Sequence, residues 1–174
     1  KESLQKALRS LERDYPGLEP RGADLPDEEV KRRIMIPTAQ RIFYVAEALR
    51  RGMSIESIYE ICGIDPWFLD QMRQILDARL QASGFHQQGT QQRLGRLQDE
   101  IQTSLRRLKE FGFSDKQLAK YWNMKEAEVR AFRIQQGIVP VYKMVDTCAG
   151  EFESRTPYYY STYEQETEVL PSTQ

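Results

Sequence analysis

The sequence predicts an all-α fold, a compact bundle of short helices with an extended C-terminal arm. Three observations carry that prediction. Apolar residues recur at steps of three and four, as in Leu94, Leu97, Ile101, Leu105 and Leu108. Glycine and proline punctuate the chain once per short helix. No segment before residue 138 sustains the alternation of a half-buried strand. With 174 residues, 40% of them hydrophobic, the chain is long enough to close a core.

The elements follow in order. Leu4, Leu8 and Leu11 share a stripe that predicts a helix from Glu2 to Arg13, ending near Pro16-Gly17. A connector from Glu19 to Pro26 carries proline and glycine and is the best candidate for a domain boundary. A short helix is expected over Asp27 to Met35, with Glu29 and Arg33 able to pair across one turn. Pro37 stops it. The next helix, about Thr38 to Arg51, carries Ile42, Val45, Ala46 and Leu49 as its buried stripe, and Gly52 ends it. Ser54 caps a helix that runs to Gly63. Asp65-Pro66 then opens a helix to about Ala82, because aspartate accepts from free N–H groups and proline suits the first helical position. Ser83 to Thr90 reads as a polar loop and Gln91 to Phe111 as a longer helix.

The chain resembles itself at a shift of 60 residues. Gly52-Met53-Ser54 falls on Gly112-Phe113-Ser114, Ile58 on Leu118, and Ile61-Cys62 on Tyr121-Trp122. Ile64 falls on Met124, Leu69 on Val129 and Met72 on Phe132. This predicts a duplicated module, in each copy a helix, a glycine stop, a Ser-capped helix, a tight turn and another helix.

After Gly137 the character changes. Pro140 and Pro157 rule out a long helix, and four of the nine tyrosines fall at Tyr158, Tyr159, Tyr160 and Tyr163. This part is expected to be an extended arm lying on a surface. The arm is acidic: residues 138–174 hold 2 basic and 6 acidic side chains, whereas residues 90–137 hold 10 and 6.

Composition excludes several classes. Lys plus Arg total 25 and Asp plus Glu 26, so no global basic field attracts nucleic acid. The longest apolar run, Ile42 to Ala46, is too short to cross a bilayer. Cys62 and Cys148 belong to no metal spacing and read as reduced thiols of a cytoplasmic protein. The chain opens on Lys1 rather than Met, which predicts an excised piece.

Signs of catalysis are scarce. There is no GxGxxG or GxxxxGK[ST] loop to cradle phosphate. His86, the single histidine, has no second ligand or nucleophile near it in sequence. Asp65 and Ser54 read as helix caps, and Trp67, Phe68 and Trp122 as core or subunit contacts. Asp146, Glu151 and Glu153 are the one carboxylate cluster; in an extended segment Glu151 and Glu153 share a face while Asp146 points to the other. A helix–turn–helix module for DNA or protein is the rival reading, over Phe113 to Arg133. Lys125-Glu126-Ala127-Glu128 argues against DNA, because it sets two carboxylates where phosphates would lie.

Several stretches resemble one family. They are Arg41-Ile42, Ala46-Glu47-Ala48, Gly52-Met53-Ser54-Ile55, Ile64-Asp65-Pro66-Trp67-Phe68-Leu69 and Gly112-Phe113-Ser114-Asp115. The most specific is Val141-Tyr142-Lys143-Met144-Val145-Asp146-Thr147-Cys148-Ala149-Gly150-Glu151-Phe152, followed by Tyr158 to Tyr163 and Glu164. Together they look like the central oligomerisation domain of the carbamoyl-phosphate synthase large subunit. Ser3 to Arg9 is similar to the helix that closes that family's first synthetase half. Cys62-Gly63 departs from the family, standing where a Thr-containing turn is expected.

The resemblance implies a division into the end of a preceding synthetase half (1–18), a helical oligomerisation domain (19–137) and a connecting arm to the second half (138–174). It implies a non-catalytic piece of a ligase that makes carbamoyl phosphate from bicarbonate, glutamine-derived ammonia and ATP for arginine and pyrimidine synthesis. None of the family's catalytic motifs has a counterpart here, so no catalytic, cofactor-binding or metal-binding residue is expected; ATP and magnesium belong to the parent enzyme. Implied partners are the flanking halves, other large subunits and a glutamine amidotransferase small subunit, with no nucleic acid and no membrane. Candidate subunit contacts are Trp67, Phe68, Met72, Trp122, Val129 and Phe132. Candidate interdomain contacts in the arm are Tyr142, Asp146, Thr147, Cys148, Glu151, Phe152, Tyr158, Tyr160 and Tyr163.

Overall fold

A computed structural model describes residues 1–11, 13–84, 94–152 and 158–169, and the side chains of all of these except 84 and 94–101. Among the described residues eight helices come first: α1 (Glu2–Arg9), α2 (Asp27–Met35), α3 (Arg41–Arg50), α4 (Ile55–Cys62), α5 (Pro66–Gly84), α6 (Leu94–Glu110), α7 (Asp115–Trp122) and α8 (Glu126–Gln135). Two short strands follow, β1 (Val141–Met144) and β2 (Tyr159–Thr162). The all-α prediction therefore holds for the body of the chain. His86 and Glu153 lie outside the described residues, as does most of the polar loop expected from Ser83 to Thr90.

The duplicated module is visible bond by bond. The first copy is α3, α4 and α5, and the second is α6, α7 and α8. Gly52 and Gly112 have φ of 85° and 87°, a left-handed conformation that costs glycine little. In each copy the next N–H reaches back five residues, Met53 to the Ala48 carbonyl and Phe113 to the Leu108 carbonyl, both at 3.0 Å. The glycine N–H groups bond Leu49 and Lys109 carbonyls at 3.0 and 2.9 Å, completing the same helix-ending turn twice. Ser54 Oγ then accepts from Ser57 N and Ser114 Oγ from Gln117 N, each at 3.1 Å. The short helices end in left-handed residues, Gly63 in one copy and Asn123 in the other.

The two modules share one core. Ile58, Leu69 and Ile75 from the first, and Leu105, Leu118 and Val129 from the second, are essentially inaccessible to solvent. Helix α5 runs between them and packs on α3, α4, α6 and α7. Helix α2 closes the first module by burying Val30 and Ile34 against α3 and α4.

Several boundaries differ from expectation. Helix α1 stops at Arg9 rather than Arg13, because Ser10 folds back, its hydroxyl donating to the Ala7 carbonyl at 2.8 Å, and Asp14 takes a left-handed φ of 54°. Helix α3 begins at Arg41 rather than Thr38; residues 38–41 form a turn closed by Arg41 N and the Thr38 carbonyl at 3.0 Å. The connector after α1 is tied down on both sides. Arg51 bonds the Gly22 carbonyl at 2.7 Å and Asp27 at 2.6 Å, while Glu19 accepts from Tyr121 and pairs with Arg79 at 3.0 Å.

The arm is not extended throughout. Strands β1 and β2 pair antiparallel, Val141 opposite Thr162 and Met144 opposite Tyr159. The stretch between them turns sharply instead of continuing: Asp146 Oδ1 accepts from Cys148 N and the Cys148 carbonyl from Glu151 N, both at 3.0 Å. Ala149 and Gly150 then take left-handed φ values. The rule that alternate residues share a face therefore does not apply to Asp146 and Glu151, because the backbone between them is a turn.

Candidate functional site

The arm is fastened to the second module over a buried set of charges. Asp115, the first residue of α7, lies 2.7 Å from Lys109 Nζ on α6 and 2.7 Å from Arg133 Nε on α8. All three side chains are nearly buried, at 5% (Lys109), 11% (Asp115) and 10% (Arg133) exposure. Each cation makes one further bond. Lys109 Nζ donates to the Phe113 carbonyl at 2.7 Å, and Arg133 Nη1 to the Ile138 carbonyl at 3.1 Å. Burial works to raise the Asp115 carboxyl, but hydrogen bonds from Lys109 and Arg133 outweigh it and hold it below the usual aspartate range. Burial pulls the Lys109 ammonium down, with Asp115 opposing.

Tyr163 lies over this set, its ring 5.0 Å from Lys109 Nζ and 5.9 Å from the Arg133 guanidinium carbon. Burial raises its phenol. Immediately before it, Thr162 Oγ1 donates to Glu2 at 2.8 Å, and Lys6 bonds the Ser161 carbonyl. The incoming helix α1 and the outgoing arm thus lie against each other. Helix α1 is itself seated on the Gly112 turn: Arg9 donates to the Gly112 carbonyl at 2.7 Å, and a Cβ on Gly112 would stand 2.8 Å from Glu2 Cα.

A second feature lies beside the N-terminal end of α1. Lys1, Ser3, Leu4, Ile42, Ile64, Trp67, Phe68 and Met72 contribute to an open groove of about 550 Å³. Asp65 Oδ1 accepts from Trp67 N at 2.8 Å and fixes the first turn of α5. Trp67 and Phe68 stand edge to face, centroids 5.0 Å apart, and remain 62% and 58% exposed.

The sequence-predicted contacts separate into three groups. Trp67 and Phe68 are exposed together. Met72 and Val129 are core residues, and Phe132 is partly buried against that core, so these three present no free face comparable to the aromatic pair. Trp122 is half-buried and donates its indole N–H to the Ala82 carbonyl at 3.0 Å. In the arm, Tyr142, Phe152, Tyr158 and Tyr160 are exposed, whereas Tyr163 is half-buried. Asp146, Thr147 and Glu151 are exposed around the half-buried Cys148.

The Lys109–Asp115–Arg133 set escaped the sequence reading. The internal repeat held the signal: the positions 60 residues earlier are Leu49, Ile55 and Arg73, so two apolar sites of the first copy become charged in the second. In this fold both charges are nearly buried, and Leu49 and Ile55 are buried in the first copy. Among the described residues no group of three or more His, Cys, Asp and Glu is placed to hold a metal ion.

The family model described as "Carbamoyl-phosphate synthetase large chain, oligomerisation domain" matches residues 1–137. The chain is 46% identical over 173 residues to the carbamoyl phosphate synthase large chain of Archaeoglobus fulgidus, covering 98% of this chain and 16% of that one. It is 47% identical over 176 residues to the large chain of Nostoc sp., covering 98% and 15%. Against the protein named as the N-terminal section of the Methanopyrus kandleri large chain it is 42% identical over 173 residues, covering 97% of this chain and 31% of that one. The chain thus spans about one sixth of the full-length relatives. These relationships favour an oligomerisation domain over the DNA-binding alternative, and the chain belongs to the family of carbamoyl-phosphate synthetase large-chain oligomerisation domains.

Proposed function

We propose that this chain is the non-catalytic joint of a longer carbamoyl-phosphate synthase, fixing the placement of two flanking synthetase halves and contributing to association of large subunits. In this reading residues 1–18 close the preceding half, 19–137 form the oligomerisation domain, and 138–174 lead into the second half. The parent enzyme uses ATP and magnesium in those halves to make carbamoyl phosphate from bicarbonate and ammonia, the ammonia coming from a glutamine amidotransferase small subunit. It works in the cytoplasm, which suits the two free thiols, Cys62 and Cys148.

One observation carries the reading: α1 and the arm are held side by side by Thr162 and Glu2, over the buried Lys109–Asp115–Arg133 set. A flexible linker would need no such anchorage. A joint does, because a hinge of a few degrees moves a distant active site by ångströms.

The test uses the full-length synthase carrying Tyr163→Ala with Thr162→Val, which loosens the arm without touching a catalytic group. Bicarbonate-dependent ATP hydrolysis is expected to persist, while carbamoyl phosphate formed per ATP falls several-fold. Unchanged coupling would overturn the joint reading. A mass by light scattering on the same samples reports on subunit association separately.

A further inference from the structure

We infer that the groove bearing Trp67 and Phe68 is the seat of the polypeptide that immediately precedes residue 1 in the longer chain. This rests on the reading of the protein as one part of a longer synthase. Lys1, Ser3 and Leu4 form one wall of the groove, so a chain running into α1 passes over its rim. Another wall is the first turn of α5, whose backbone the Asp65 cap fixes and whose two rings stand edge to face. Rings stacked on each other and left more than half exposed favour a partner that lays apolar side chains against them.

Area decides between this occupant and a second copy of the chain. A stable interface between separate proteins needs about 800 Å² from each partner. Two aromatic side chains exposed to this degree offer on the order of 250 Å². The two rings by themselves are too little for association of free subunits. They are enough for a segment tethered at the rim, whose effective concentration lies in the millimolar range. The cations at the groove's border are already engaged, Lys1 Nζ over the Phe111 ring at 4.7 Å and Arg41 with the Cys62 carbonyl at 3.5 Å. The segment is therefore apolar where it meets the groove.

Hydrogen exchange measured on the full-length synthase tests this. Trp67→Ala with Phe68→Ala is expected to raise exchange of the peptides just before residue 1 by about ten-fold or more. Exchange in α7 and α8 is expected to stay at its wild-type level, which shows that the fold is intact. Trp67→Phe, which keeps a ring, is expected to retain most of the protection. The oligomer mass is expected to be unchanged. Unaltered exchange before residue 1, with α7 and α8 intact, would overturn the inference. So would loss of oligomer mass while that segment stays protected, since a second copy would then be the occupant. A native polypeptide no larger than these 174 residues would instead remove the joint reading, and this inference with it.

Discussion

Replacing Asp115 with alanine isolates the charge set beneath the arm. The carboxylate lies 2.7 Å from both Lys109 Nζ and Arg133 Nε, and all three side chains are about one-tenth exposed or less. Its removal leaves two cations buried side by side with no counter-charge, a loss of about 3–5 kcal/mol. Burial already pulls the Lys109 ammonium down, so in the variant it sheds its proton more readily and the loss falls toward the lower end. With a urea slope of about 2 kcal/mol per molar, a loss of ~4 kcal/mol moves the unfolding midpoint by ~2 M. Helical circular dichroism during urea titration measures it. The pH dependence provides a second check. The folded carboxyl titrates below its unfolded value, so its stabilisation is complete above the unfolded value, near pH 4, and is lost as pH falls through the folded one. Wild type and variant should therefore converge as the solution is acidified below about pH 4. A variant within about 1 kcal/mol of wild type at pH 7 would refute the account of the set as a buried, mutually dependent network.

Two further predictions use the repeat and the arm. Gly52→Ala and Gly112→Ala carry the same left-handed strain, about 1 kcal/mol, but only at Gly112 does the new Cβ meet backbone, 2.8 Å from Glu2 Cα. Gly112→Ala should therefore cost clearly more in thermal unfolding and expose α1 to proteolysis, and equal costs would contradict the seating of α1 on that turn. Deleting residues 146–174 should leave the helical circular dichroism of residues 27–137 nearly unchanged, because the buried core is built from α2 to α8 together with Leu8, Leu18, Phe113 and Ile138; global unfolding would contradict it.

The parts of the fold legible in the sequence are those fixed by neighbours along the chain. Ser54 and Ser114 announce their helices because a cap bonds within three residues, and Gly52 and Gly112 announce helix ends because the turn closes within five. The repeat followed from the same local chemistry. What stayed hidden depends on distant partners. Lys109, Asp115 and Arg133 come from three different helices, and only their packing brings the charges together. Pairing of Val141–Met144 with Tyr159–Thr162 joins two four-residue stretches, too short for alternation to announce. The sequence places Trp67 and Phe68 among its candidate contacts together with Met72 and Val129, and only the packed helices separate the exposed pair from the buried two.

The contact between Glu2 and Thr162 has a consequence for how such a protein can change over time. A stretch of 159 residues lies between two points that touch through one 2.8 Å hydrogen bond. As long as the stretch keeps the Gly112 turn and the charge set beneath Tyr163, the flanking polypeptide meets the same short gap. Insertions in the interior, or exchange of one helical module for another, leave the spacing at the gap untouched. The segment behaves as a cassette, and a replacement of different size fits provided it preserves the seat of α1 and the ledge that receives the arm.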